Sequence, residues 1–158
     1  MATAFDRLAE LLRALRDESV EYVLFGGQAV NLHGIPRFTE DIDVFVNPTP
    51  QNVERLRLAL RRVWDDPEID QIRAEDLSGD YQVVRYGTPD GFAVDLVARI
   101  GDAFAFDDVE SELLTIDGVP VRIATPRMLY RMKKDTVRPI DRADAADLKV
   151  KFGIEDES

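Results

Sequence analysis

The chain has 158 residues, 45% of them hydrophobic, and carries a formal net charge of −11. This length suffices for one domain with a hydrophobic core, and the acidic charge argues against nonspecific nucleic-acid binding along a whole face. The sequence has no cysteine, which excludes disulfides and thiolate metal sites. The N-terminus does not resemble a signal peptide, and no apolar run is long enough to cross a membrane. We therefore expect a single domain over residues 1–158, located in the cytoplasm.

The first half of the chain predicts alternating helices and strands. In chain order, hydrophobic periodicity and turn residues predict a helix over 3–17, a strand over 20–27, a short helix over 28–34, a strand over 41–46 and a helix over 49–64. Gly34 is expected to end the second helix, while Thr49 and Pro50 are a favoured N-cap and first helical residue.

The second half begins with an acidic loop over residues 65–80 and continues as two hairpins followed by two helices. The predicted strands are 81–86 and 92–100 around GTPDG, then 112–116 and 119–124 around an Asp-Gly turn. Thr125 and Pro126 are expected to open a helix to 134. Asp141 is expected to cap a last helix through Lys151, before an acidic frayed tail at 155–158. These elements predict an α/β fold with a mixed sheet flanked by helices and a core over 20–150.

Two carboxylates occupy the second predicted strand. Side chains alternate along a strand, so Asp41 and Asp43 share one face and Ile42 points into the core. Their charges repel, and one carboxylate must take a proton unless a cation lies between them. Mg²⁺ suits such a site because it binds a few carboxylate oxygens together with substrate phosphates. The alternative is an edge strand with one solvated face.

Asp95 is a third acidic residue in an apolar segment, FAVDLVA. A buried carboxylate without a partner is costly, so such a residue has an ionic partner or a metal. If it joined Asp41 and Asp43, it would complete a two-metal site and could act as general base for an attacking hydroxyl. The alternative is a salt bridge to an arginine, with Arg85 across the hairpin as the natural partner.

The glycine pair Gly26–Gly27 ends the first strand and precedes a helix. Absent side chains let phosphate approach the backbone there, although a plain tight turn is the usual meaning of such a pair. Arg37 and Thr39 lie between the glycines and the aspartates and could reach triphosphate oxygens. Two basic stretches, at 127–142 and 55–62, have a solvated helix face as their plain interpretation, and this interpretation is favoured for 55–62.

The stretch GGQAVNLHGIPRFTEDIDVFV resembles the opening motif of the nucleotidyltransferase superfamily related to DNA polymerase beta. Its His-Gly followed by Arg-x-Thr resembles the AbiEii-like branch, which includes toxins of toxin–antitoxin systems. The later sequence matches that branch in order and spacing at Met132, Lys133, Arg138, Pro139, Asp141 and Asp144. Ile140 departs from the pattern because many relatives carry lysine there.

The resemblance covers about residues 20–150 and implies a nucleotidyltransferase fold. It implies that Asp41, Asp43 and Asp95 bind one or two Mg²⁺ ions and that Lys133 is a catalytic residue contacting the triphosphate. The implied nucleotide contacts are Gly26, Gly27, Arg37, Thr39, Lys133 and Arg138. His33, the sole histidine, is expected to pack at a helix end rather than act as a base.

The resulting hypothesis is an enzyme that moves a nucleoside monophosphate from an NTP to a hydroxyl and releases pyrophosphate. The acceptor stays open among a tRNA end, a protein and a small molecule, and an antitoxin is a candidate partner. The alternative is a catalytically silent module that binds a nucleotide or a partner protein. A phosphate-metal hydrolase is a third hypothesis, which release of free nucleotide without an acceptor would reveal.

Overall fold

The computed structural model describes residues 1–78, 83–100, 103–134 and 138–155. Within these residues the α-helices are α1 (Ala4–Asp17), α2 (Gly26–Leu32), α3 (Pro50–Val63), α4 (Pro126–Lys133) and α5 (Pro139–Phe152). The strands are β1 (Tyr22–Phe25), β2 (Ile42–Val46), β3 (Val83–Gly87), β4 (Ala93–Val97), β5 (Arg99–Ile100), β6 (Phe104–Ala105), β7 (Ser111–Ile116) and β8 (Val119–Ala124). Short 3₁₀ helices span Pro67–Gln71, Ala74–Leu77 and Phe106–Asp108.

The main sheet is mixed, as the sequence predicts. Among the described residues it has six strands in the order β3-β4-β2-β1-β8-β7. The pairs β2–β4 and β1–β8 are parallel, and the pairs β1–β2, β3–β4 and β7–β8 are antiparallel. Both predicted hairpins are therefore confirmed. The remaining strands, β5 and β6, form a separate small ribbon.

The core lies between the sheet and the helices that cover it. Helix α1 packs against α3 and β8, and α4 packs against α5. The apolar side chains that fill the core include Leu12, Leu24, Phe45, Leu60 and Ile123, all fully buried. Ile42 is also fully buried, as expected from strand alternation, so its neighbours Asp41 and Asp43 face the other side of β2. No helix in the described part of the chain is long and apolar enough to span a membrane.

Local capping and turn signals explain most element boundaries. The Thr49 hydroxyl accepts a hydrogen bond from the Asn52 amide at 3.2 Å, with Pro50 as first helical residue. Thr125 caps α4 in the same way. Gly34 follows α2 with φ +93°, and the β7–β8 turn has positive φ at both central residues, Asp117 and Gly118. Such angles fit the primed turn that the Asp-Gly dipeptide favours.

Some boundaries differ from the sequence-based expectation. Helix α2 begins at Gly26 itself, so the glycine pair opens the helix instead of preceding it. Helix α5 is capped by Arg138, and Asp141 lies in its first turn. The prediction that Asp141 caps this helix was wrong because the helix begins earlier, at Pro139, and the Asp141 carboxylate instead accepts a hydrogen bond from Lys133 on α4. The expected strand over 92–100 ends at Val97 and resumes as β5. Residues 81–82 and 156–158 lie outside the described residues.

Candidate functional site

One open cavity of about 380 Å³ lies beside the carboxyl end of β1, the start of β2 and the hairpin β3–β4. The residues that the sequence predicts as a site all line it: Gly26, Gly27, Arg37, Thr39, Asp41, Asp43, Asp95, Lys133 and Arg138. Phe38, Glu40, Arg85, Ile140 and Asp141 complete the lining. The fold thus brings residues from distant parts of the chain to one place, while their individual roles stay predictions.

The three aspartates meet through strand register. Asp43 on β2 lies opposite Asp95 on the parallel strand β4. Asp41 precedes β2, and its Oδ1 accepts a hydrogen bond from the Ala93 amide at 2.9 Å. Burial, reinforced by the Asp95 charge, raises the pKa of Asp43 to about 6. Burial also raises the pKa of Asp95, against the opposing effect of Arg85. Burial and mutual repulsion therefore disfavour full ionisation of these carboxylates.

Arg85 supplies positive charge to this cluster. Its Nη1 donates to the two carboxylate oxygens of Asp95 at 3.1 and 3.0 Å, and its Nη2 donates to Asp41 Oδ2 at 3.0 Å. Arg85 lies opposite Asp95 in the antiparallel β3–β4 register, which explains the contact. The salt bridge considered as the alternative for Asp95 is therefore present, and it extends to Asp41.

The donor chemistry at this point suits a hard divalent cation. Carboxylate oxygens are the preferred ligands of Mg²⁺, and a cation would counter both the burial and the Asp95 charge that raise the pKa of Asp43. Within the described residues, however, no group of three or more acidic, histidine or cysteine side chains is arranged as a metal cage. The backbone register brings the carboxylates together, and the side chains of Asp41 and Asp95 turn to Arg85. The side chains are thus of the type that binds Mg²⁺, and in this structure the cation beside them is the Arg85 guanidinium.

The two glycines allow unusually close packing. A Cβ at Gly26 would overlap Asp43 Oδ2, and Gly26 also has φ +71°. A Cβ at Gly27 would lie 2.7 Å from Arg37 Nη1 and 2.8 Å from Thr39 Oγ1. Gly26 therefore admits Asp43, and Gly27 admits the Arg37 and Thr39 side chains, against the start of α2. Phosphate binding by these glycines stays a prediction.

A buried ionic group forms the wall of the cavity near α4 and α5. Lys133 Nζ donates to Asp141 Oδ1 at 3.1 Å and to Asp144 Oδ2 at 3.0 Å. Asp144 Oδ2 also accepts from Arg37 Nη1 at 2.7 Å. Asp144 thus joins the two cations that the sequence predicts as phosphate contacts. Arg138 is different, since its side chain is 71% exposed at the cavity rim.

Sequence reasoning missed the role of Asp144, although it matched the motif. The available signal was the three-residue spacing of Asp141 and Asp144, which puts both carboxylates on one face of α5. That face meets Lys133, and Arg37 Nε is buried there with no hydrogen-bond partner among the residues that the structure describes. His33, by contrast, packs at the end of α2 as expected, with Nε2 2.8 Å from the carbonyl oxygen of Ala124.

Structural comparison finds nucleotidyltransferase folds. The chain is similar to a putative nucleotidyltransferase from Thermotoga maritima, with TM-score 0.60, 16% identity and coverage of 94% of this chain and 91% of that one. It is similar to ANT(2'')-Ia in complex with adenylyl-2''-tobramycin, with TM-score 0.53, 18% identity and coverage of 92% and 87%. A nucleotidyltransferase-like antigen from Paracoccidioides brasiliensis gives TM-score 0.52, 17% identity and coverage of 92% and 75%. At these identities the likeness establishes the fold alone.

Family comparison is more specific. No curated protein matches the chain. A family model described as "Nucleotidyl transferase AbiEii toxin, Type IV TA system" matches residues 10–146. That match includes every residue predicted as part of the site, and it agrees with the resemblance carried by the Gly-Gly and Asp-x-Asp motifs. The chain belongs to the AbiEii nucleotidyltransferase family.

Proposed function

We propose that this chain is a Mg²⁺-dependent enzyme of the cytoplasm that transfers a nucleoside monophosphate from an NTP to a hydroxyl and releases pyrophosphate. The observation that carries the proposal is the shared cavity of Asp41, Asp43 and Asp95 with Lys133 and Arg37. Carboxylates suit the metal, and the cations suit the triphosphate.

Asp41, Asp43 and Asp95 would hold one or two Mg²⁺ ions. When bound, Mg²⁺ supplies charge stabilisation for the triphosphate and lowers the pKa of an attacking hydroxyl. Asp95 is proposed to accept the proton of that hydroxyl as general base. This role requires Asp95 to be released from Arg85, which now holds both of its oxygens.

The remaining residues would orient the nucleotide. Lys133 and Arg37 are fixed by Asp144, so their positive charges occupy set positions on the cavity wall. Fixed donors favour reaction because they need no reorganisation when charge develops on the phosphates. Arg138 at the rim would bind phosphate oxygens from outside, and Gly26, Gly27 and Thr39 would border the same phosphates.

The acceptor and the partner belong to the proposal as well. One protein of similar fold is known with adenylyl-2''-tobramycin, a nucleotidylated small molecule. The family description names a toxin of a type IV toxin–antitoxin system, which favours an antitoxin as partner. A tRNA end, a protein or a small molecule would each offer the hydroxyl that the reaction needs.

A catalytically silent nucleotide- or partner-binding module is the second candidate, and Arg85 favours it. The guanidinium holds two of the three aspartates, and apolar Ile140 lies in the cavity where many relatives carry lysine. Calorimetry with Mg²⁺ and each NTP separates the two functions. An enzyme should bind NTP in a metal-dependent way with a base preference, whereas a silent module should lack the metal dependence.

Incubation with each α-labelled NTP and total cell extract, followed by separation of RNA, protein and small molecules, tests the transfer. The proposal expects Mg²⁺-dependent label in one fraction and loss of that label with Asp41→Ala. Label that appears only as free nucleotide would indicate a hydrolase. Equal transfer by wild type and by Asp41→Ala that is folded by circular dichroism would refute the assignment of the site.

A further inference from the structure

We propose that Arg85 is a resident counter-cation that competes with the divalent ion for Asp41 and Asp95 and thereby sets the metal affinity of the site. This inference rests on the proposed function, because it concerns the same aspartates. It adds a role for a residue that none of the matched motifs contains.

The competition follows from the donor geometry. Asp95 uses both carboxylate oxygens for Arg85, at 3.1 and 3.0 Å. Asp41 uses Oδ2 for Arg85, while its Oδ1 is held by the Ala93 amide at 2.9 Å. A divalent ion bound by Asp41 and Asp95 would therefore share oxygens with the guanidinium. Because both are cations, they repel each other at these oxygens, so binding of either one weakens binding of the other.

The exchange of Arg85 for a divalent ion is feasible because the Arg85 side chain is largely exposed to water. Its side chain is 62% exposed, whereas those of Asp41 and Asp95 are 27% and 16% exposed. An exposed ion pair is screened by water and contributes little, so a divalent ion can displace it. The Ala93 hydrogen bond keeps the Asp41 carboxylate in place when the guanidinium leaves.

Displacement would also give the arginine a second use. Arg85 lines the same cavity as Lys133 and Arg138. A guanidinium released from carboxylates presents a forked donor set to phosphate oxygens. Metal entry and nucleotide entry would thus favour each other, because the metal frees Arg85 and the phosphates provide its new partner.

The test is binding of Mn²⁺ alone to the full chain, followed by electron paramagnetic resonance of the free ion. Arg85→Gln removes the charge and keeps most of the side-chain length. Its Mn²⁺ affinity should rise about threefold to tenfold, since one screened competitor is lost. Arg85→Lys, which keeps the charge but not the fork, should lie between the two. Asp41→Asn added to Arg85→Gln should abolish the gain.

Arg62→Gln is the matched control. Arg62 is 54% exposed and also contacts two carboxylates away from the site, with Nη2 2.9 Å from Glu18 and Nη1 4.0 Å from Asp17. The Arg62→Gln variant should bind Mn²⁺ with the affinity of wild type, and circular dichroism should confirm that each variant is folded.

The outcomes separate the inference from the proposed function. Wild-type binding of Mn²⁺ with unchanged or weaker binding by Arg85→Gln would overturn the inference and leave the metal site standing. Absence of Mn²⁺ binding in wild type and in Arg85→Gln alike would overturn both. An equal gain in Arg62→Gln would show a general charge effect and would also overturn the inference.

Discussion

Asp43 and Asp95 lie side by side on parallel strands, each opposite the other in the β2–β4 register. Neither is near the other in sequence, and both carboxylates sit in partly buried positions beside the cavity. Their proximity follows from the sheet order, which inserts β4 next to β2. The result is a pair of like charges, and binding of a cation between them would relieve their repulsion.

The raised pKa of Asp43 predicts an unusual pH dependence of stability without metal. Burial and the Asp95 charge raise this pKa from 3.8 to about 6, so the folded chain binds the proton more tightly than the unfolded chain. The stabilisation is complete below about pH 4 and is lost as pH rises through about 6. Asp43→Asn should therefore be more stable than wild type at pH 7.5 in EDTA, by on the order of 3 kcal/mol.

Urea unfolding of wild type and Asp43→Asn at pH 4 and pH 7.5 measures this difference. The two proteins should have similar stability at pH 4. Excess Mg²⁺ at pH 7.5 should reduce the advantage of the variant, because the ion favours the ionised carboxylate. An advantage of equal size at both pH values would show that the Asp43 proton is not its cause.

Gly26→Ala should destabilise the chain more than a substitution that strains the backbone alone. Gly26 has φ +71° and a new Cβ would overlap Asp43 Oδ2. Gly118→Ala is the matched control, since Gly118 has φ +78° and, apart from its chain neighbours, no atom of the described residues lies within 4 Å of a new Cβ. The control should lose about 1–2 kcal/mol from its backbone conformation. Thermal unfolding should show a larger loss for Gly26→Ala, and equal losses would contradict the contact with Asp43.

Asp144→Ala should remove the link between Arg37 and Lys133. Asp144 is 4% exposed and accepts from both cations, so its loss removes a carboxylate partner from Arg37 and leaves Lys133 with Asp141. Removal of one partner from a buried ionic group costs about 3–5 kcal/mol. Denaturant unfolding should show that loss, while Asp147→Ala, at an exposed position of the same helix, should stay within about 0.5 kcal/mol of wild type. Equal stability of the two variants would contradict the buried network.

Asn52→Ala should weaken the fold without touching the site. The buried Asn52 side chain accepts from the Glu21 amide at 2.8 Å and donates to the Glu21 and Asn47 carbonyls at 3.0 and 2.8 Å. Loss of these bonds should lower the free energy of unfolding by about 2 kcal/mol. Mn²⁺ affinity at a temperature where the variant is folded should equal that of wild type. A changed Mn²⁺ affinity would mean that the hydrogen bonds of Asn52 also influence the shape of the cavity.

Much of the fold was predictable because its signals are local. The Thr49–Pro50 cap, the Asp-Gly turn and the alternation that buries Ile42 each depend on a few neighbouring residues. The family motif also predicted which residues line the cavity. Those residues come from separate elements, and composition or periodicity alone does not bring them together.

The remainder depends on long-range contacts that no local rule reveals. Asp141 has the residue type of an N-cap, yet Lys133 from another helix holds it. Asp95 had two reasonable partners, a metal and Arg85, and the β3–β4 register decides that Arg85 lies beside it. The sequence therefore indicated both candidate partners of Asp95 without indicating that Arg85 would also reach Asp41.

The most direct test of the proposed chemistry is pyrophosphate release from NTP in the presence of cell extract, comparing wild type with Asp43→Asn. Wild type should release pyrophosphate in step with label transfer, only with Mg²⁺ present. Asp43→Asn, folded by circular dichroism, should lose at least about 100-fold in rate, as expected when charge stabilisation in the transition state is removed. Mg²⁺-independent release, or release by Asp43→Asn at the wild-type rate, would contradict a metal-dependent nucleotidyl transfer at these aspartates.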